Sequence, residues 1–223
     1  MATATAAWIR GARVCYCHGL ESGPNGYKVR ELRVRGLDVM CPPMEMSLWD
    51  IRQKNSIPRS LLSPSALLSR WPTQWLAGAM DDSFAACLLR CRLALESEAP
   101  CTLLLGSSWG GAVGAALIAD GHWSGPAVIL CPALRLKDRW GGSLDEANSA
   151  EAITTRLAAL PAERKATILL VHGTADDTVP VEDSQALSEA TGIALELIEG
   201  GSHGLGSIVS DGRLVALMQR VGQ

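Results

Sequence analysis

Cys101-Thr102-Leu103-Leu104-Leu105-Gly106-Ser107-Ser108-Trp109-Gly110-Gly111 passes from an apolar run through a glycine-flanked serine into a stretch rich in small residues. The run from Cys101 to Leu105 has the length and apolarity of a strand buried on both faces, and Trp109 to Ala119 reads as a helix. Gly-x-Ser-x-Gly therefore falls on a strand-to-helix turn, the setting in which a serine hydroxyl is pushed into the open as a nucleophile elbow. A side chain at Gly106 or Gly110 is expected to collide with the neighbouring strand or helix. Taken alone, the same string also suits a tight turn whose serine caps a helix.

Outward from this turn the same alternation recurs. Further apolar runs at Arg13 to Cys17, Leu37 to Cys41, Ala127 to Cys131, Thr167 to Val171 and Ile193 to Ile198 predict buried parallel strands. Helices are predicted over Asn25 to Arg35, Met80 to Glu98, Val181 to Ala190 and Ile208 to Val221. The implied fold class is α/β: a mostly parallel sheet of about six strands, helices on both faces, in a single domain spanning residues 1–223. In such a sheet the chemistry gathers beyond the carboxyl ends of the strands.

Two of those ends carry reactive side chains in a suggestive order. After the run ending at Val171 comes His172-Gly173-Thr174-Ala175-Asp176-Asp177-Thr178-Val179-Pro180, and after the last run comes Gly200-Gly201-Ser202-His203-Gly204. A carboxylate in the first loop can orient an imidazole in the second, and the chain order Ser108, Asp176, His203 is one of the convergent orders of the catalytic triad. The first strand ends in Cys17-His18-Gly19-Leu20-Glu21-Ser22-Gly23-Pro24, whose amides can converge with that of Trp109 on a developing oxyanion; Leu20 is the expected second donor. His18 and His172 each precede a glycine at a strand end, where a loop-shaping role is expected, and His122 lies in a surface-like Asp-Gly-His turn.

On these residues the chain resembles the α/β-hydrolase superfamily, over nearly its whole length from Val14. The stretch from Tyr16 to Gly26, with the following Lys28, is similar to the His-Gly oxyanion loop of small YqiA-like serine esterases. The resemblance implies Ser108 as nucleophile, Asp176 as acid, His203 as base, and the amides of Leu20 and Trp109 as oxyanion hole. Asp176 is preferred over Asp177 because the family's His-Gly-x-x-Asp-x-x-Val-Pro spacing falls on it. The expected activity is hydrolysis of a carboxylic ester or thioester through an acyl-enzyme. Alternatives are carbon-carbon or amide hydrolysis, acyl transfer, or a non-catalytic ligand-binding role on the same fold. No metal or organic cofactor is expected, and the partner is a small acyl substrate.

Two segments break the alternation. Glu45 to Gly78 carries Pro58, Pro64 and Pro72 with Trp49, Trp71 and Trp75, too long for a simple connection, and reads as a lid or an excursion over the sheet edge. Its tryptophans are expected to pack rather than line a pocket. Ala133 to Ala162 begins with Arg135, Lys137 and Arg139, expected to be a solvated face, and ends in a helix over Asn148 to Leu160.

Composition narrows the function class. The formal charge of −3 and the lack of a basic block remove the electrostatic footprint of nucleic-acid binding. No apolar run approaches the ~18 residues of a membrane span. The seven cysteines (15, 17, 41, 87, 91, 101 and 131) lie mostly inside apolar runs and read as small buried hydrophobes, which fits a reducing, cytoplasmic setting. The Ala/Thr-rich opening leaves little room for a transit segment.

Overall fold

The computed structural model describes residues 11–20, 22–44, 73–97, 99–139 and 146–222. Six strands, β1 (Arg13–Cys17), β2 (Asp38–Met40), β3 (Leu103–Ser107), β4 (Ala127–Leu130), β5 (Ile168–Gly173) and β6 (Ala194–Ile198), form one sheet in the order β2-β1-β3-β4-β5-β6. Every pairing is parallel, with Tyr16 opposite Leu105 and Ser107 opposite Leu130.

The helices are α1 (Tyr27–Val34), α2 (Thr73–Ser97), α3 (Trp109–Ala119), α4 (Leu134–Arg139), α5 (Ala150–Ala158), α6 (Ala162–Lys165), α7 (Val181–Thr191), α8 (Gly206–Ser210) and α9 (Arg213–Val221). They cover both faces. Strand residues alternate between two cores, as a period of two requires. Cys15, Cys17, Leu104 and Ile129 pack with Phe84 of α2, Val113 of α3 and Ile153 of α5. Val14, Tyr16, Leu105 and Val128 pack with Val29 of α1, Ile208 of α8 and Leu214 of α9. The chain runs outward from β1 to β2 and then returns to β3, so its direction reverses between β1 and β3. At such a switch point the two flanking strand-end loops part and leave a crevice.

Several expected boundaries move. The helix predicted from Met80 begins at Thr73, directly after Pro72, and runs through Gly78; a glycine inside a helix costs about 1 kcal/mol and does not stop it. Trp75 is thus helical, while Trp49 and Trp71 lie outside the described residues, as does 45–72 of the expected excursion. The last helix divides at Asp211-Gly212, because Gly212 takes a left-handed φ of 86° and the Asp211 carboxylate accepts the Arg213 amide at 2.9 Å.

The basic cluster is corrected too. Arg135 is exposed, but the side chain of Lys137 is 1% exposed, 3.0 Å from Asp138 and 3.5 Å from Asp81, with its ammonium over the Phe84 ring. An i, i+1 acid and the facing helix α2 turn that residue inward. Six of the seven cysteines are buried and all are free thiols. Among the described residues no helix is long and apolar enough to cross a membrane.

Candidate active site

Ser108 is the N-cap of α3, held at φ 58° and ψ −119°, a conformation that side-chain-bearing residues rarely adopt. Its amide donates to the Leu130 carbonyl at 2.8 Å, and its carbonyl accepts the amides of Ala112 (3.0 Å) and Ala133 (3.1 Å). Backbone bonds to the neighbouring strand and the next loop thus hold the strained turn. The expected glycine collisions hold: a Cβ on Gly106 would lie 2.6 Å from the Gly110 carbonyl oxygen, and one on Gly110 would strike the carbonyls of Cys17 and His18. Those carbonyls belong to the end of β1, so the elbow fits only because β1 and α3 meet without side chains between them.

The three side chains singled out from the sequence come together here. Ser108 Oγ donates to His203 Nε2 at 2.9 Å, and His203 Nδ1 donates to Asp176 Oδ2 at 2.8 Å. The tautomer follows from the partners, since a carboxylate can only accept. The loops carrying acid and base are joined to each other: Thr174 donates to the Ile198 carbonyl (3.0 Å), Ala175 to that of Gly201 (2.9 Å), and the Gly200 amide to Thr174 Oγ1 (2.9 Å).

Asp176 is saturated. Its Oδ1 accepts the amides of Thr178 and Val179, both at 2.9 Å, and its side chain is fully buried. Burial raises its pKa, but the Val179 amide, the His203 imidazole and the Thr178 amide together outweigh burial and hold the carboxyl below its ordinary value.

A second histidine reaches the same carboxylate. His172 Nε2 lies 3.1 Å from Asp176 Oδ2 and 3.0 Å from the Val179 carbonyl, while its Nδ1 lies 2.6 Å from Ser184 Oγ. Two acceptors at Nε2 place the proton there, so Nδ1 accepts from the serine. Cys131, at φ 43° just beyond β4, has its thiol close to the Asp176 carboxylate, and burial chiefly pushes that thiol up to about 12. Among the described residues Cys131, His172 and Asp176 are the one close group of metal-ligating atoms, yet the imidazole and the carboxylate are already hydrogen-bonded within this network. The i, i+4 spacing of His172 and Asp176 across a strand end is the sequence signal for the first contact. Cys131 had only its place one residue past a strand.

His18 is buried, with Nδ1 against the Gly19 carbonyl at 2.9 Å and Nε2 accepting the Met44 amide at 3.2 Å. Burial lowers its pKa, and these contacts tie the loop after β1 to the chain after β2. It shapes the loop, as expected. His122 is exposed in its turn.

A cleft of about 400 Å³ opens beside Ser108 and His203, with Gly19, Leu20 and Lys28 on the β1 side and Ser202 and Gly206 opposite. Leu20 borders this cleft. Trp109 is the first residue of α3, so its amide has no acceptor within the helix. A larger cavity, about 530 Å³, lies at the β2 edge beneath Arg13, Arg33 and Arg90, away from these residues.

Residues 80–218 match the model of the Uncharacterised protein family (UPF0227). No curated protein matches the chain. Among solved structures, TT1662 from Thermus thermophilus aligns with a TM-score of 0.62 at 19% identity, covering 94% of this chain and 89% of its own. An alpha-beta serine hydrolase homologue from Coxiella burnetii aligns at 0.51 and 17% identity, over 94% and 84%. The esterase domain of a Rhodothermus marinus protein aligns at 0.53 and 15% identity, over 95% and 87%. The fold is that of the α/β-hydrolase superfamily.

Proposed function

We propose that the chain, which belongs to the Uncharacterised protein family (UPF0227), is a serine hydrolase that cleaves a carboxylic ester or thioester. The observation that carries this reading is the hydrogen-bonded series Ser108, His203, Asp176, at 2.9 and 2.8 Å, opening onto a cleft at the switch point of the sheet. His203 Nε2 takes the proton of Ser108 as Oγ attacks the acyl carbon, and Asp176 stabilises the imidazolium that forms. The amides of Leu20 and Trp109 receive the oxyanion of the tetrahedral intermediate, each donor contributing roughly 10²- to 10³-fold to the rate. The imidazolium then protonates the leaving alcohol or thiol, and the acyl group remains on Ser108. Water, deprotonated by the same imidazole, releases the acid. The esterase domain among the structural neighbours supports an ester over an amide as the first substrate to try.

The test is hydrolysis of p-nitrophenyl esters from acetyl to dodecanoyl by wild type and Ser108→Ala. Turnover by wild type and a loss of about 10⁴-fold or more in the variant is expected. Equal turnover by both would overturn the nucleophile. A Ser108 that a fluorophosphonate labels, in a protein that turns over no ester, would move the carbon-carbon and acyl-transfer readings forward.

A further inference from the structure

Lys28 is the second residue of α1, in a first turn that holds no acidic residue. A cation there opposes the positive end of the helix, so the position costs stability that a neutral side chain would not. Its side chain lines the cleft with Ser108 and His203, and among the described residues it has no ion pair and no carboxylate shares the cleft wall. A surface lysine escapes such costs by extending its head into water. Lys28 is half-buried in the cleft wall, and this burial lowers its pKa, with the nearby Cys131 thiol opposing. An unpaired, partly desolvated ammonium beside a nucleophile breaks local rules in the way that binding sites do.

We propose that Lys28 determines the specificity of this cleft, its ammonium receiving a negatively charged substituent of the ester or thioester whose carbonyl Ser108 attacks. The inference rests on the serine-hydrolase reading above. An arriving anion restores what burial removes, because an opposite charge at close range favours the charged form of the lysine. Tyr16 and Tyr27 also border the cleft, and a substituent of either carboxylate or phosphate type supplies the required charge.

Matched substrates differing only in charge test the assignment. On the acyl side, mono-4-nitrophenyl glutarate is compared with its methyl ester. On the leaving-group side, the butyryl thioester of 3-mercaptopropionate is compared with that of methyl 3-mercaptopropionate. Wild type is expected to favour the anionic member of one pair by about tenfold in kcat/KM, and Lys28→Met to bring that ratio to about one, with Lys28→Arg keeping part of it. The pair that responds locates the substituent. A wild-type ratio near one in both pairs, or a ratio unmoved by Lys28→Met, overturns the assignment. If no substrate is turned over, fluorophosphonate labelling of Ser108 with and without added glutarate reads the same contact. Protection in wild type but not in Lys28→Met supports it, and labelling without protection sinks it while leaving the nucleophile standing. A Ser108 that resists labelling sinks the hydrolase reading, and the lysine assignment falls with it.

Discussion

Asp176 and Lys28 are both charged groups that burial opposes, and the fold treats them in opposite ways. The carboxylate sits between two loops sewn together by backbone hydrogen bonds, with two amides and an imidazole on it and a second imidazole and a thiol close by. The ammonium stands in a helix start that electrostatics disfavours, with no partner among the described residues. The difference separates two tasks. A group that must hold another in one tautomer has every lone pair taken in advance, since misplacement there costs rate. A group that reads a substrate gains by keeping its strongest interaction for the substrate.

Breaking the saturated side has the largest expected effect. Asp176→Asn keeps the shape but cannot hold a neutral His203 with Nδ1 protonated, so kcat is expected to fall on the order of 10³- to 10⁴-fold. Stability changes with pH in a defined direction. Because the folded carboxyl titrates below its ordinary value of about 3.9, its contribution is complete above that pH and is lost as pH falls through the folded value. The Tm of wild type is expected to fall more steeply below about pH 4 than that of Asp176→Asn. Parallel Tm profiles would mean that the network does not favour the ionised acid.

His172 tests how much of the saturation matters. It supplies one of several contacts to Asp176, and the amides of Thr178 and Val179 remain when it is changed. His172→Gln cannot reach Asp176 and Ser184 together, and kcat is expected to fall about tenfold with little change in KM. A kcat equal to wild type would confine His172 to shaping the loop.

The saturated side was also the more legible in the sequence. Strand-end position, glycine spacing and the order Ser108, Asp176, His203 are local signals, and the structure brings those residues within hydrogen-bond distance. The strands carry period-two alternation between two cores, which apolar runs announce plainly. What local patterns do not carry is pairing across the fold. Lys137 looked like one of three solvated cations because its partner Asp81 stands on another helix, 56 positions earlier in the chain. Cys131 looked like a small hydrophobe because its contact with Asp176 exists only once β4 and β5 lie side by side. Lys28 looked like part of a loop motif, and its burial depends on how α1 packs against β2 and α8.

The smallest expected effect is on the unpaired side and has the opposite sign. Methionine matches lysine closely in length and helix propensity, so Lys28→Met removes chiefly the charge. With the folded lysine titrating below its ordinary value, the unfolded chain binds more protons between the two, and wild-type stability rises as pH climbs through that window toward about 10.4. Below the window the desolvation cost is fully present, so at neutral pH and without ligand Lys28→Met is expected to raise Tm by about 1–2 °C. The gain should shrink as pH approaches the ordinary lysine range. A variant that gains stability while losing its preference for the anionic substrate would tie the cost of the unpaired ammonium to recognition. A fall in Tm would mean that Lys28 already has a stabilising partner in the folded chain, and the contrast with Asp176 would disappear.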